Sequence, residues 1–153
     1  MRSKIFLADS AEVRVNLLFL LGGAWIEIGP GPQPFAIAGL IEVDWEEANQ
    51  RHEIEFAIDD EDGNPLLVPS LTGNQPFRIR HPFEVGRPAG MPRGSTLNIP
   101  VALPIPPIPW IAGRHYVLIV RINGNEHDRV RFKVRPMPTL PQPPLPQPQP
   151  PQP

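Results

Sequence analysis

The sequence predicts an all-β protein, a sandwich of about eight short antiparallel strands followed by a proline-rich tail. Three observations carry that expectation. Apolar residues recur at every second position, clusters of turn-forming residues separate the alternating segments, and no heptad, long amphipathic helix or fixed-period repeat occurs. The alternation stops at Arg135, after which PMPTLPQPPLPQPQPPQP takes over completely. Residues 1–135 are therefore expected to form one folded domain, and residues 136–153 an extended polyproline II or disordered tail.

In chain order the strands are expected at residues 4–8, 15–28, 35–43, 52–59, 77–85, 96–103, 115–122 and 129–135. The fourth is the clearest: RHEIEFAID puts Ile54, Phe56 and Ile58 on one face and Glu53 and Glu55 on the other. RVRFKVR repeats the pattern with Val130, Phe132 and Val134. Between the strands lie GPGPQP, DEDGNP, LTGNQP, GRPAGMPRG and INGN, all rich in residues that favour turns. One helical turn is expected in DWEEANQ, where Asp44 stands at a cap position and Glu47 follows three residues later. In PVALPIPPIPW the prolines cannot donate ladder hydrogen bonds, so this segment is read as an edge strand passing into an extended connection that delivers Trp110 to the core.

The last hairpin can be assigned a register, because charges must stay off the inner face. A three-residue loop over residues 123–125 opposes Leu118 with Val130 and Tyr116 with Phe132, with Asn125 in the left-handed position. A two-residue loop over residues 123–124 would oppose Tyr116 and Leu118 with Arg131 and Arg129, placing charges on the apolar face. Val117 and Ile119 then make the outer face of that strand apolar too, so a second layer or a partner is expected to cover it.

Composition narrows the function. The chain of 153 residues has no cysteine, which removes disulfides, thiolate metal sites and cysteine nucleophiles. A net charge of −2 argues against a phosphate-binding surface, so nucleic acid is not an expected partner. The apolar stretches at residues 5–8 and 17–26 are too short for a signal segment or a membrane span, which gives a cytoplasmic expectation with no membrane partner. Charge is segregated: residues 44–62 are strongly acidic, and residues 114–135 are basic. Such faces either pair across strands or form a complementary self-association surface.

No catalytic constellation is read. His52, His81, His115 and His127 lack metal-ligand spacing, and no serine sits in a GxSxG turn. The glycine-rich segments do not lead into helices, so no catalytic, cofactor-binding or metal residue is assigned and no cofactor is expected. The acidic segment from Asp59 to Asn64 departs from the EF-hand pattern, with Pro69 where the last glutamate would stand. It reads as a solvated turn, with a weak calcium site as the alternative. The tail supplies PxxP repeats, and Arg135, Pro138 and Pro141 complete RxxPxxP. The candidate partner-binding residues are thus Arg135, Pro138, Pro141 and Pro144 in the tail, and Val117 and Ile119 on the last hairpin.

The run LLFLLGGAWIEIGPGPQPFAIAGLIEV, the strand RHEIEFAIDDEDGNP and the PFEVGRP segment resemble a family of small uncharacterised proteins, found mainly in actinobacteria and classed as a domain of unknown function. LLGGAW and GPGPQPF are the more specific elements, and the resemblance spans residues 5–135. It implies an immunoglobulin-like β-sandwich in bacterial cytoplasm, and no activity, cofactor or catalytic residue. With this the expected fold is a single immunoglobulin-like antiparallel sandwich, the runner-up being a small up-and-down barrel. The glycines of LLGGAW are expected to form a bulge beside a buried tryptophan. The function expected is a non-enzymatic protein-binding or structural accessory module that binds a protein partner or itself. The alternative is a barrel-like carrier of a small apolar ligand.

Overall fold

Period-two alternation becomes strand almost everywhere it occurs. The computed structural model describes residues 1–139 and is all-β, with no α-helix among those residues. Its strands are β1 (Arg2–Ala8), β2 (Ser10–Arg14), β3 (Leu17–Leu21), β4 (Glu27–Ile28), β5 (Phe35–Asp44), β6 (Arg51–Asp60), β7 (Leu67–Ser70), β8 (Gly73–Pro76), β9 (Arg78–Glu84), β10 (Thr96–Ile105), β11 (His115–Ile122) and β12 (Asn125–Val134). They form a three-stranded sheet in the order β1-β5-β10, a five-stranded sheet in the order β4-β12-β11-β6-β9, and two hairpins, β2-β3 and β7-β8. All pairings are antiparallel except β4 with β12.

One core lies between the two larger sheets. Ile37, Ile41 and Val43 from β5 meet Ile58, Leu118, Val120 and Ile122 from β6 and β11, all at most 2 % exposed. These are the inward positions of each alternation, so the hydrophobic effect sets which face turns inside. An aromatic cluster closes one end: Phe132 packs against Trp25, Trp110 and Tyr116 with ring centroids 5.8, 5.4 and 5.8 Å away. Trp110 is buried, as its place after the proline run predicts, although its indole N–H finds no acceptor among the described residues. The outer face of β5 carries Ala36 and Ala38, and the β2-β3 hairpin packs over β5 and β10 there, which explains burial of β5 on both faces.

The sheets do not close into a barrel, so the runner-up fold is not formed. At one seam Ile5 N–H donates to Asp128 Oδ2 at 2.7 Å and ties β1 to β12. At the other, β9 and β10 end their sheets and face each other without pairing. Pro82 lies in β9, and Pro100 and Pro104 lie in β10. Edge strands tolerate proline because the missing N–H breaks no ladder, and such an edge resists addition of another strand.

Three local expectations need correction. The segment read as one strand over residues 15–28 is split into β3 and β4, and β2, β7 and β8 were not anticipated. Gly22 adopts the left-handed conformation (φ +59°) and ends β3, so LLGGAW forms a loop rather than a bulge within a strand. Its tryptophan, Trp25, is half-buried against Phe35 and Phe132. In the last hairpin Tyr116 opposes Phe132 and Leu118 opposes Val130, as core burial demands, but the loop is the two-residue Asn123-Gly124 turn. Both residues have positive φ, 51° and 81°, as the tight hairpin turn requires. An extra residue, His127, is accommodated as a bulge between the Val120–Asp128 and Arg121–Glu126 pairs, and restores the inward register. The expected helical turn is present as a 3-10 turn, Trp45–Glu47, where Asp44 N–H donates to Glu47 Oε2 at 3.2 Å.

Candidate functional site

The outer face of the five-stranded sheet concentrates the unusual chemistry. Strand alternation sends Arg129, Arg131 and Lys133 of β12, His115, Val117, Ile119 and Arg121 of β11, and Glu55, Ala57 and Asp59 of β6 outward. Register aligns them in rows across three strands. Arg131 pairs with Val117, which pairs with Asp59; Arg129 pairs with Ile119, which pairs with Ala57. Lys133 pairs with His115, whose Nδ1 lies 3.4 Å from Glu61 Oε2. The centre of each of the first two rows is apolar, one flank is basic, and Asp59 and Glu61 make the other flank acidic.

Length differences shape this face. Arginine and lysine stand high on β12, whereas Val117, Ile119 and Asp59 are short, and the result is an open trough of about 710 Å³. Ile119 is 5 % exposed and Val117 half-buried, so the two form a recessed floor rather than a protruding patch. No second layer of the described chain covers this floor. Asp59 is buried, and its Oδ1 accepts no hydrogen bond among the described residues. Arg131 is exposed and forms no ion pair among the described residues. The lateral distance between their strands is roughly 10 Å, two strand spacings, which keeps the opposite charges apart.

On the basic wall Arg129 is paired with Glu126 at 2.8 Å and Lys133 with Glu27 at 3.0 Å, and beside the trough the charges are satisfied as well. Glu55 receives Arg80 Nε at 2.6 Å and Arg121 Nη1 at 2.8 Å, with Arg78 Nη1 at 3.4 Å. Burial pushes the Glu55 carboxyl up, but the hydrogen bonds from Arg80 and Arg121 outweigh it and hold the group below the ordinary glutamate range. A carboxyl with a depressed folded pKa stabilises above its unfolded pKa of about 4.3, and that contribution is lost as pH falls through the lower folded value. Glu55→Gln is therefore expected to cost about 2 kcal/mol at neutral pH, the scale of hydrogen bonds to charged groups. Thermal melts at neutral and acidic pH check this: the gap between wild type and variant should close in acid, and a gap independent of pH would contradict it.

The other sequence candidates fall elsewhere. Arg135 extends from β12 with its Nε 3.8 Å from Glu27 Oε1, and Pro138 is exposed. Pro141 and Pro144 lie outside the described residues. In the acidic turn, Asp60 Oδ1 accepts the backbone N–H of Asp62 at 3.0 Å and of Asn64 at 2.8 Å. The bond from Asn64 leads in holding the Asp60 carboxyl below its usual range. His52 is a buried structural residue, with Nε2 2.8 Å from the Glu47 carbonyl and Nδ1 3.0 Å from Asn123 Nδ2. Among the described residues no three histidine, aspartate or glutamate side chains gather as a metal site, and no helix is long and apolar enough to cross a membrane.

The sequence offers Val117 and Ile119 as candidates but not Asp59, Ala57, Glu61, Arg131 and Lys133 as their neighbours. The available signal was the segregation of acidic residues before position 62 from basic residues after 114. Strand pairing is what brings the two segments to opposite sides of β11.

The model of a family of unknown function, DUF6941, matches residues 3–135. No curated protein matches the chain. Among solved structures, the Pseudomonas fluorescens alkylpurine DNA glycosylase AlkC, bound to DNA containing an abasic site analog, is similar at a TM-score of 0.41 and 19 % identity. The similarity covers 72 % of this chain and 28 % of that protein, and at that level it carries no argument about fold or function.

Proposed function

This chain belongs to the DUF6941 family, whose function is unknown, and we propose that it is a non-enzymatic protein-binding module: an immunoglobulin-like antiparallel sandwich presenting the outer face of its five-stranded sheet. The observation that carries the reading is the trough over β11, an apolar floor with a basic wall on one side and acidic groups on the other. Apolar floor and flanking charge of both signs match the core-and-rim anatomy of protein interfaces. Nucleic acid would not match, because the carboxylates of β6 repel phosphate beside the cations of β12. The face is favoured over the sheet edges because Pro82, Pro100 and Pro104 blunt β9 and β10.

The test compares three purified proteins: wild type, Val117→Glu, and a chain ending at Arg135. Val117→Glu buries a charge at the centre of the face, and is expected to weaken protein association at least tenfold while the melting temperature moves by a few degrees. The truncated chain is expected to bind like wild type. If truncation abolished association and Val117→Glu did not, the tail with Arg135 and Pro138 would be the recognition element, and the reading from the sheet face would fail.

A second reading, carriage of a small apolar ligand, is favoured by one feature. Between the unpaired edges of β9 and β10 lies a cleft of about 380 Å³, lined by Val13, Ile79, Phe83, Ile99 and Val101. Native mass spectrometry of the same wild-type sample separates the readings, since a retained small molecule adds its mass to a single chain.

A further inference from the structure

We infer that the partner seated on this trough is a second copy of the chain, in a two-fold dimer whose axis runs along β11 in the plane of the interface. This rests on the outer face being the binding surface. Two sheets packed face to face about such an axis exchange left and right while keeping position along the strand. Each residue of β12 then lies over the residue of β6 in the same row of the partner. Applied to the observed rows, the operation places Arg131 over the partner's Asp59, Lys133 over the partner's Glu61, and Arg129 over the partner's Ala57.

Both charge and relief are self-complementary under that single operation. The cationic ridge of β12 enters the partner's trough, where the arginine stems cover Val117 and the rim of Ile119. The exposed guanidinium of Arg131, without an ion pair among the described residues, reaches the wall that carries the buried Asp59 carboxylate. Arg131 and Asp59, which form no salt bridge among the described residues, face each other twice about the two-fold axis, whereas Arg129 and Lys133 keep their own partners, Glu126 at 2.8 Å and Glu27 at 3.0 Å. The contact ends beyond Ile119, because Arg121 sits on the axis and already turns sideways onto Glu55 at 2.8 Å. An inclination of roughly 30° between aligned sheets separates the two faces there.

The experiment exploits the symmetry and uses the full chain, read by sedimentation velocity and native mass spectrometry. Wild type is expected to be a dimer. Arg131→Asp and Asp59→Arg should each weaken it about a hundredfold, since each places two like-charge pairs in the interface. Mixing the two variants should restore a heterodimer, because each reversed residue then faces the other's reversed residue. Asp59 is buried, so the exposed pair Lys133→Glu and Glu61→Lys repeats the test without disturbing the core. A monomeric wild type at millimolar concentration, single variants that remain dimeric, or mixtures that do not recover would each overturn the dimer. If wild type were monomeric but bound a different protein in a manner sensitive to Val117→Glu, the dimer would fail and the sheet-face reading would stand. Dimers and binding both insensitive to Val117→Glu would remove that reading itself.

Discussion

Phe132→Ala is expected to destabilise the protein by about 4 kcal/mol, the range for truncating a fully buried aromatic ring. Phe132 is 3 % exposed and is the one ring that touches Trp25, Trp110 and Tyr116 together. Its removal leaves a cavity between residues of β11 and β12, the loop before β4 and the connection after β10. Those neighbours are held by separate backbone ladders and cannot collapse into the gap together. A shift of about 10 °C in Tm should result for a domain of this size. Emission of Trp25 and Trp110 should move to longer wavelength as water reaches them. Phe132→Leu should recover part of the loss, and a Phe132→Ala variant within about 1 kcal/mol of wild type would contradict the assignment of the cluster as a packed core.

Gly39→Ala is expected to be of similar severity for a different reason. Gly39 lies mid-strand in β5, opposite Ile5 of β1 and Val101 of β10. An added Cβ would stand 2.9 Å from Ile5 Cα and would overlap the Lys4 carbonyl oxygen. These are backbone atoms of a paired strand, so relief requires β1 to shift away from β5 along the sheet. Overpacking of this kind costs about 3 kcal/mol. Gly86→Ala is the control: its backbone is not left-handed and its added Cβ meets nothing within 4 Å. There the substitution is expected to be neutral or to stabilise by up to about 1 kcal/mol through the unfolded chain. Denaturation midpoints of the two variants test the pair, and equal effects would show that β1 does not approach β5 as described.

Much of the architecture was legible because strand burial writes itself into sequence with period two. RHEIEFAID and RVRFKVR announce β6 and β12, and the requirement that Tyr116, Leu118, Val130 and Phe132 all face inward sets the pairing of β11 with β12. That same argument misplaced the loop. It assumed a uniform ladder, whereas His127 is spent in a bulge, and the Asn123-Gly124 turn keeps its two-residue form. Of the β2-β3 hairpin only β3 falls within the strand expected over residues 15–28, because the turn before it, Val15 and Asn16 at positive φ, carries no glycine to mark it. Leu17, Phe19 and Leu21 are exposed at 61, 49 and 70 %, so an apolar run did not mean a buried strand.

The candidate site shows the limit more sharply. Sequence alone determined that this is a β protein, that residues 44–62 are acidic and 114–135 basic, and that β11 is apolar on both faces. Only the tertiary structure decided that β11 lies between β12 and β6, and that one row holds Arg131, Val117 and Asp59. Alternation reports which face of a strand a side chain occupies, a local property of the backbone. Lateral neighbours depend on strand order and register, which long-range burial selects from pairings that local sequence leaves equally open.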